Sequence, residues 1–166
     1  YNMDGKPVAG LGKHVVVDAP SNAATACFDL GFSMDISPVH FIRLSLKNGS
    51  GTVVSDNFYW RGSQPNDYTG LNTLAPARLR VKQQLQRENG KAVITATVTN
   101  AGKSVAFAVR VQAVRTKDGE RILPALMDDN YFTLLQGESK EIRIEFDEAL
   151  LQGGGYQVLA QAYNSR

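Results

Sequence analysis

A single cysteine, Cys27, stands in the 166 residues, so the chain has no internal disulfide and no zinc site built from several thiolates. Its two histidines, His14 and His40, fall in separate strand-like runs. Neither has the short spacing to a second His, Cys or carboxylate that marks a metal site. No apolar run nears the about 18 residues needed to cross a bilayer, and no long amphipathic helical pattern is present. Charge of neither sign dominates, since 18 Lys and Arg against 16 Asp and Glu leave a net +2. Acids interleave with bases in RTKDGER and ESKEIRIEF, so there is no basic stripe for tracking phosphates. Neither nucleic acid nor membrane is an expected partner. A GxSxG elbow is missing, and so is GK[ST]. Gly10-Leu11-Gly12 and Gly153-Gly154-Gly155 precede no helix that would cradle a phosphate. These absences predict no catalytic residue, no metal and no cofactor in this chain.

What the chain does have is apolar material for a core, at 43% hydrophobic residues, arranged in alternating runs broken by turns. VHFIRLSLKNGSGTVVSDNFYW reads as a β-hairpin, because Asn48-Gly49-Ser50-Gly51 tolerates the positive φ of a tight reversal. Its first strand is expected to turn Ile42, Leu44 and Leu46 toward a core. Upstream, His14 to Asp18 and Ala23 to about Leu30 read as two more strands, with Cys27 a small buried hydrophobe in the second. From Arg61 to Asp67 the composition favours turns, and Pro76 restarts an extended path, so Val53 to Pro76 is read as the join between two β-rich units. Beyond it Leu79, Val81, Gln83 and Leu85 alternate, then Ile94, Ala96 and Val98, then Phe107, Val109, Val111 and Ala113. Shorter strands are predicted at Arg121 to Leu123 and Tyr131 to Leu135. Ile142, Ile144 and Phe146 alternate next, a single helical turn is expected in Asp147 to Gln152, and Tyr156, Val158, Ala160 and Ala162 close the series.

About seven strands with turns at this spacing indicate an immunoglobulin-like sandwich. The fold class is therefore all-β, with two tandem immunoglobulin-like β-sandwich units: residues 1–75, a partial unit with a C-terminal linker, and residues 76–166, a complete one. The first unit has too few predicted strands to close a sandwich. With Tyr1 already inside a strand-like run, it reads as truncated at its N-terminus, a piece of a longer protein.

Three places hold chemistry-bearing residue types. Tyr59, Trp60 and Tyr68 are candidates for an aromatic platform on which a sugar ring stacks, against the competing reading that they pack at the join. Asp128-Asp129-Asn130 offers three oxygen-bearing side chains to calcium, although a polar turn before Tyr131 explains the same residues. Asn48-Gly49-Ser50 matches the N-glycosylation sequon, but the hairpin turn accounts for it fully.

SDNFYW at 55–60, DYTGLNTLAP at 67–76, VTNAGKSVAF at 98–107 and DDNYFTLLQGESKEIRI at 128–144 resemble the C-terminal immunoglobulin-like domains of family 2 glycoside hydrolases. Within that family they are most similar to the exo-β-D-glucosaminidase and β-mannosidase branch. The resemblance implies a parent enzyme in which a (β/α)8 barrel supplies two catalytic glutamates, and no part of this chain resembles that barrel. Glu88, Glu138 and Glu148 are expected in or beside turns, as solvated residues. The resemblance thus implies a non-catalytic accessory pair of domains partnered with the barrel, in a periplasmic or extracellular retaining glycosidase. A carbohydrate-binding module and a fibronectin-like protein-interaction module are the alternatives that the same fold permits.

Overall fold

The computed structural model of the chain describes residues 1–18, 20, 22–32 and 35–165. Its strands are β1 (Val39–Lys47), β2 (Val53–Gly62), β3 (Leu79–Glu88), β4 (Lys91–Asn100), β5 (Ala106–Arg115), β6 (Leu126–Met127), β7 (Phe132–Leu134), β8 (Ser139–Asp147) and β9 (Tyr156–Gln161). Single turns of 3-10 helix span Thr69–Thr73 and Glu148–Leu151. No described helix is long and apolar enough to cross a membrane. The chain divides into two compact units, Tyr1–Leu71 and Asn72–Arg166.

The second unit is a sandwich of two antiparallel sheets, ordered β3-β4-β8-β6 and β7-β5-β9. β3 and β4 are joined by Asn89-Gly90, both at positive φ (51° and 76°), the two-residue turn whose twist matches that of the strands it connects. Alternation then decides what is buried. Ala92, Ile94, Ala96 and Val98 of β4 point inward beside Ile142, Ile144 and Phe146 of β8, with Ile94 directly opposite Ile144. Val109, Val111 and Ala113 of β5, Phe132 and Leu134 of β7 and Val158 of β9 close the core from the other sheet. Each fully buried Val, Ile or Phe contributes about 1.5–3 kcal/mol, and a run of them offsets the chain entropy without a disulfide. The register of β5 slips between Ala106 and Val109 at Ala108, whose φ is 46°, so that Ala106 and Phe107 are both buried although adjacent. Six of the seven predicted strands and the inward positions of Val98, Val111 and Ile144 match this arrangement, whereas β6 at Leu126–Met127 is not among those predicted. Arg121 to Leu123, predicted as a strand, makes only a single bridge from Arg121 to Val114.

In the first unit the two-stranded ribbon β1-β2 is the only sheet among the described residues. It is the predicted hairpin, but its burial follows distance from the tip and not the predicted face. Val39, His40 and Phe41 at its base are covered on both faces, whereas Leu44 and Leu46 are 39% and 62% exposed. The reason is which residues have something to pack on. Val39 and Met3 both crowd Gly70, Phe32 packs on the His40 ring, and Phe41 packs on Phe58 with ring centroids 5.4 Å apart and pairs its main chain with Tyr1. Toward the tip no second layer of described residues lies over the ribbon, so neither face is covered there. The strands predicted at His14 to Asp18 and Ala23 to Leu30 are not formed by their described residues, and Val16 is 92% exposed. β-branched runs become strands only when an edge is available to pair with. Cys27, expected to be buried, is exposed for the same reason, its Sγ 3.6 Å from the Thr25 carbonyl.

Candidate functional site

Tyr59 and Trp60 sit next to each other on β2, opposite Ile42 and Phe41. Because successive side chains of a strand leave by opposite faces, the two rings do not share a plane on which one sugar could lie. Tyr68 lies off the strand, just before the 3-10 turn at Thr69–Thr73. All three are exposed, at 48%, 49% and 40%. The structure thus places each aromatic at the surface of the first unit and leaves Tyr59 and Trp60 facing apart.

Many of the described carboxylates are held in ion pairs and main-chain hydrogen bonds. Arg43 clasps Asp56, which also accepts from Ser45 Oγ at 2.6 Å. Asp118 pairs with Arg115 at 3.0 Å, Glu145 with Arg143 at 2.8 Å, Asp129 with Lys140 and Glu148 with Arg87. Glu138 accepts from the Leu135 N–H at 2.9 Å and so closes the turn before β8. Those carboxyls whose acidity shifts all move the same way. A main-chain hydrogen bond from Lys6 lowers the pKa of Asp4, the Thr69 hydroxyl lowers that of Asp67, and the Glu120 N–H lowers that of Asp118. A general acid needs the opposite shift, upward, to hold its proton near neutral pH.

The Asp128-Asp129-Asn130 run spends its oxygens in three directions. Asp128 accepts from the Arg143 N–H at 3.0 Å, Asp129 faces Lys140, and Asn130 Oδ1 accepts from the Val111 N–H at 2.8 Å. No cluster of three metal-ligating side chains occurs among the described residues. Of the histidines, His40 is 2% exposed. Its Nδ1–H donates to the Ser37 carbonyl at 3.1 Å while Nε2 is buried with no hydrogen-bond partner among the described residues. Burial holds the imidazole below its ordinary pKa, and the Arg61 guanidinium acts in the same direction.

Three asparagines hold the sandwich together: Asn100, read from the sequence as a turn residue, Asn130, read as a calcium candidate or part of a polar turn, and Asn164, which carries no expectation from the sequence. Asn100 donates to the Ser104 and Leu134 carbonyls at 2.7 and 3.0 Å. Asn130 pairs with both main-chain groups of Val111, as a neighbouring strand would. Asn164 donates to Ala75 O and Val105 O at 2.7 and 2.8 Å and accepts from the Phe107 N–H at 3.1 Å, so it ties the C-terminal segment to the entry of the unit and to β5. Each satisfies main-chain groups that are otherwise cut off from water. A polar residue at the end of an apolar alternation was the available signal, and it does not distinguish a clip from a solvated turn.

Fold and side chains together define an immunoglobulin-like sandwich protein, clipped by the buried amides of Asn100 and Asn164. Residues 57–165, about two thirds of the chain, match the family model of the exo-β-D-glucosaminidase Ig-fold domain, and the chain belongs to that family. It is similar to the exo-β-D-glucosaminidase of Hypocrea jecorina, 30% identical over 86% of this chain and 18% of that protein. It is also similar to the Streptomyces avermitilis exo-β-D-glucosaminidase, at 25% identity over 97% of this chain and 19% of that one. In fold it resembles the Amycolatopsis orientalis exo-chitosanase CsxA, with a TM-score of 0.74 and 23% identity over 84% of this chain and 19% of that one. The chain therefore spans about a fifth of the length of each of these proteins.

Proposed function

We propose that the chain is a non-catalytic accessory part of an exported, retaining exo-β-D-glucosaminidase, partnered with the enzyme's catalytic barrel. One observation carries this reading: Asp56, Asp118, Asp129, Glu145 and Glu148 are held in ion pairs, Asp128, Glu138 and Asp147 accept main-chain hydrogen bonds, and the carboxyls whose pKa shifts, Asp4, Asp67 and Asp118, all move down. Retaining cleavage needs one carboxylate placed for attack and a protonated one about 5 Å away. The relatives are named as glucosaminidases, which favours amino-sugar over mannose chemistry for the parent. Incubated with nitrophenyl β-D-glucosaminide, the purified chain releases no more nitrophenol than buffer does. Turnover that vanished in a Glu148→Gln or Glu138→Gln variant would overturn the proposal.

The exposure of Trp60 supports a second reading, a sugar-stacking role for the aromatic group. Trp60 is the only tryptophan, so its fluorescence reports on that surface alone. The accessory reading expects no spectral shift on adding glucosamine oligosaccharides. A saturable shift lost in Trp60→Ala supports the binding module instead.

A further inference from the structure

The tip of the β1-β2 hairpin carries Asn48-Gly49-Ser50, the one place in the sequence where Asn precedes a Ser or Thr by two residues with no Pro between. Everything around it, from Leu44 to Asn57, is exposed. Asn48 Oδ1 accepts three hydrogen bonds, from the Ser50 N–H at 3.1 Å, the Ser50 hydroxyl at 2.7 Å and the Thr52 N–H at 2.9 Å. The main chain closes the same turn, with the Gly51 N–H donating to Asn48 O at 2.9 Å and the Asn48 N–H donating to Thr52 O at 3.0 Å.

All of this uses the oxygen of the side-chain amide. The nitrogen takes no part in the turn, and because the amide is planar, holding Oδ1 inward directs Nδ2 out to solvent. Asn100, Asn130 and Asn164 are the contrast: their nitrogens donate to main-chain carbonyls inside the sandwich, and a substituent there would break those bonds. An asparagine that already meets its structural duties through oxygen can carry a large group on nitrogen and still close the same turn.

We propose that Asn48 is an acceptor for an N-linked oligosaccharide, transferred while the chain is exported from a cell that holds an oligosaccharyltransferase. This rests on the exported location proposed above. The donor is a polyprenyl-pyrophosphate-linked oligosaccharide. Nδ2 attacks C1 of its first sugar; the N–C1 bond forms, the bond from C1 to the phosphate oxygen breaks, and the pyrophosphate carrier leaves with the electron pair. One Nδ2 proton passes to a base of the transferase. Transfer takes place on the extended nascent segment, and the resulting secondary amide keeps Oδ1 available for its three hydrogen bonds when the hairpin forms.

The test is to secrete the full chain from yeast behind a cleavable leader and to measure its intact mass before and after N-glycanase treatment in heavy-oxygen water. Because the host supplies export, the result reads the site and not the native location. The expected result is one glycan whose removal leaves a heavy-oxygen aspartate at Asn48; spontaneous Asn-Gly deamidation in the same water takes up the same label, so a parallel incubation without the glycanase measures and subtracts it. Asn48→Gln and Ser50→Ala carry no glycan, Ser50→Thr carries at least as much as the parent, and the trimmed and untrimmed chains melt together. Cell-free translation with microsomes gives the same reading on the nascent chain if a variant is not secreted. A parent chain left unmodified while a control glycoprotein in the same cells or microsomes is modified would overturn the proposal. So would a trimmed chain that melts differently from the glycosylated one, since the nitrogen would then not face solvent.

Discussion

The two units of this chain are made of similar sequence and end in different physical states. Both have alternating apolar strands joined by glycine-containing hairpin turns. In residues 72–166 the alternation meets a second sheet, so that Ile94, Val98, Ile142 and Ile144 are fully buried. In residues 1–71 the same kind of alternation meets nothing beyond the base of the ribbon, and Leu46, Val53 and Val54 are more than half exposed. Alternation specifies which face could be buried; a partner layer decides whether it is.

The sharpest way to break that comparison is to place the same charge on both sides of it. Val98→Asp sets an unpaired carboxylate in the core of the sandwich and should cost several kcal/mol, on the order of a small domain's entire stability. Leu46→Asp, on the uncovered end of the ribbon, should change stability by no more than about 0.5 kcal/mol. Thermal melts of the two variants check both, and a Val98→Asp protein melting with the parent would mean that the register of β4 is off by one.

A smaller effect separates buried from exposed amides. Asn164→Ala leaves the Phe107 N–H and the carbonyls of Ala75 and Val105 unpaired inside the sandwich, and should cost about 3 kcal/mol in denaturant titration. Asn48→Ala also removes three hydrogen bonds, but water replaces them, and the loss should stay at about 1 kcal/mol or less. Equal losses would remove burial as the deciding factor.

The sandwich was legible because its alternation runs through strand after strand with turn residues between, and each strand reads the same in isolation as in place. Six of its seven strands, the inward faces of β4, β5 and β8, and the 3-10 turn after Asp147 follow from that local pattern; the two-residue β6 does not, since nothing in Leu126-Met127 alternates. The burial of β1 did not, because it falls on both faces at the base and on neither at the tip. The residues that cover the base, Phe32 over His40 and Phe58 beside Phe41 among them, are distant in sequence. The upstream runs HVVVD and TACFDL failed as strands for the same reason, since pairing is not a local property. At the candidate site, the opposed directions of Tyr59 and Trp60 were already implied by their adjacency once β2 was assigned. The roles of Asn100, Asn130 and Asn164 were not, since each depends on main-chain groups from other strands.

A titration distinguishes the units by pH. His40 belongs to the first unit, and its pKa in the folded state lies below the ordinary value of 6.5 because burial disfavours the imidazolium. The hydrogen bond to the Ser37 carbonyl opposes the shift, the positive Arg61 reinforces it, and Phe32 packs against the ring at 5.1 Å. The unfolded state therefore binds the proton first. The stability of the first unit should be at its full value above pH 6.5 and fall as pH drops from there toward the folded pKa. NMR of the His40 ring, with limited proteolysis of residues 1–71 across that range, checks it; an imidazole titrating at or above 6.5 would reverse the sign. The smallest effect expected is that of Arg43→Ala, which removes a part-exposed ion pair to Asp56 and should cost about 0.5 kcal/mol, most of it absent at high salt.

The central claim is that alternation covered by a second sheet makes residues 72–166 a folding unit in its own right. Residues 72–166 expressed alone test this in one measurement, a thermal or denaturant unfolding curve compared with that of the full chain. A single cooperative transition at the midpoint of the full chain's major transition is the predicted result. A fragment that is unfolded, or that melts well below the full chain, would contradict the account by showing that the first unit is part of the same core.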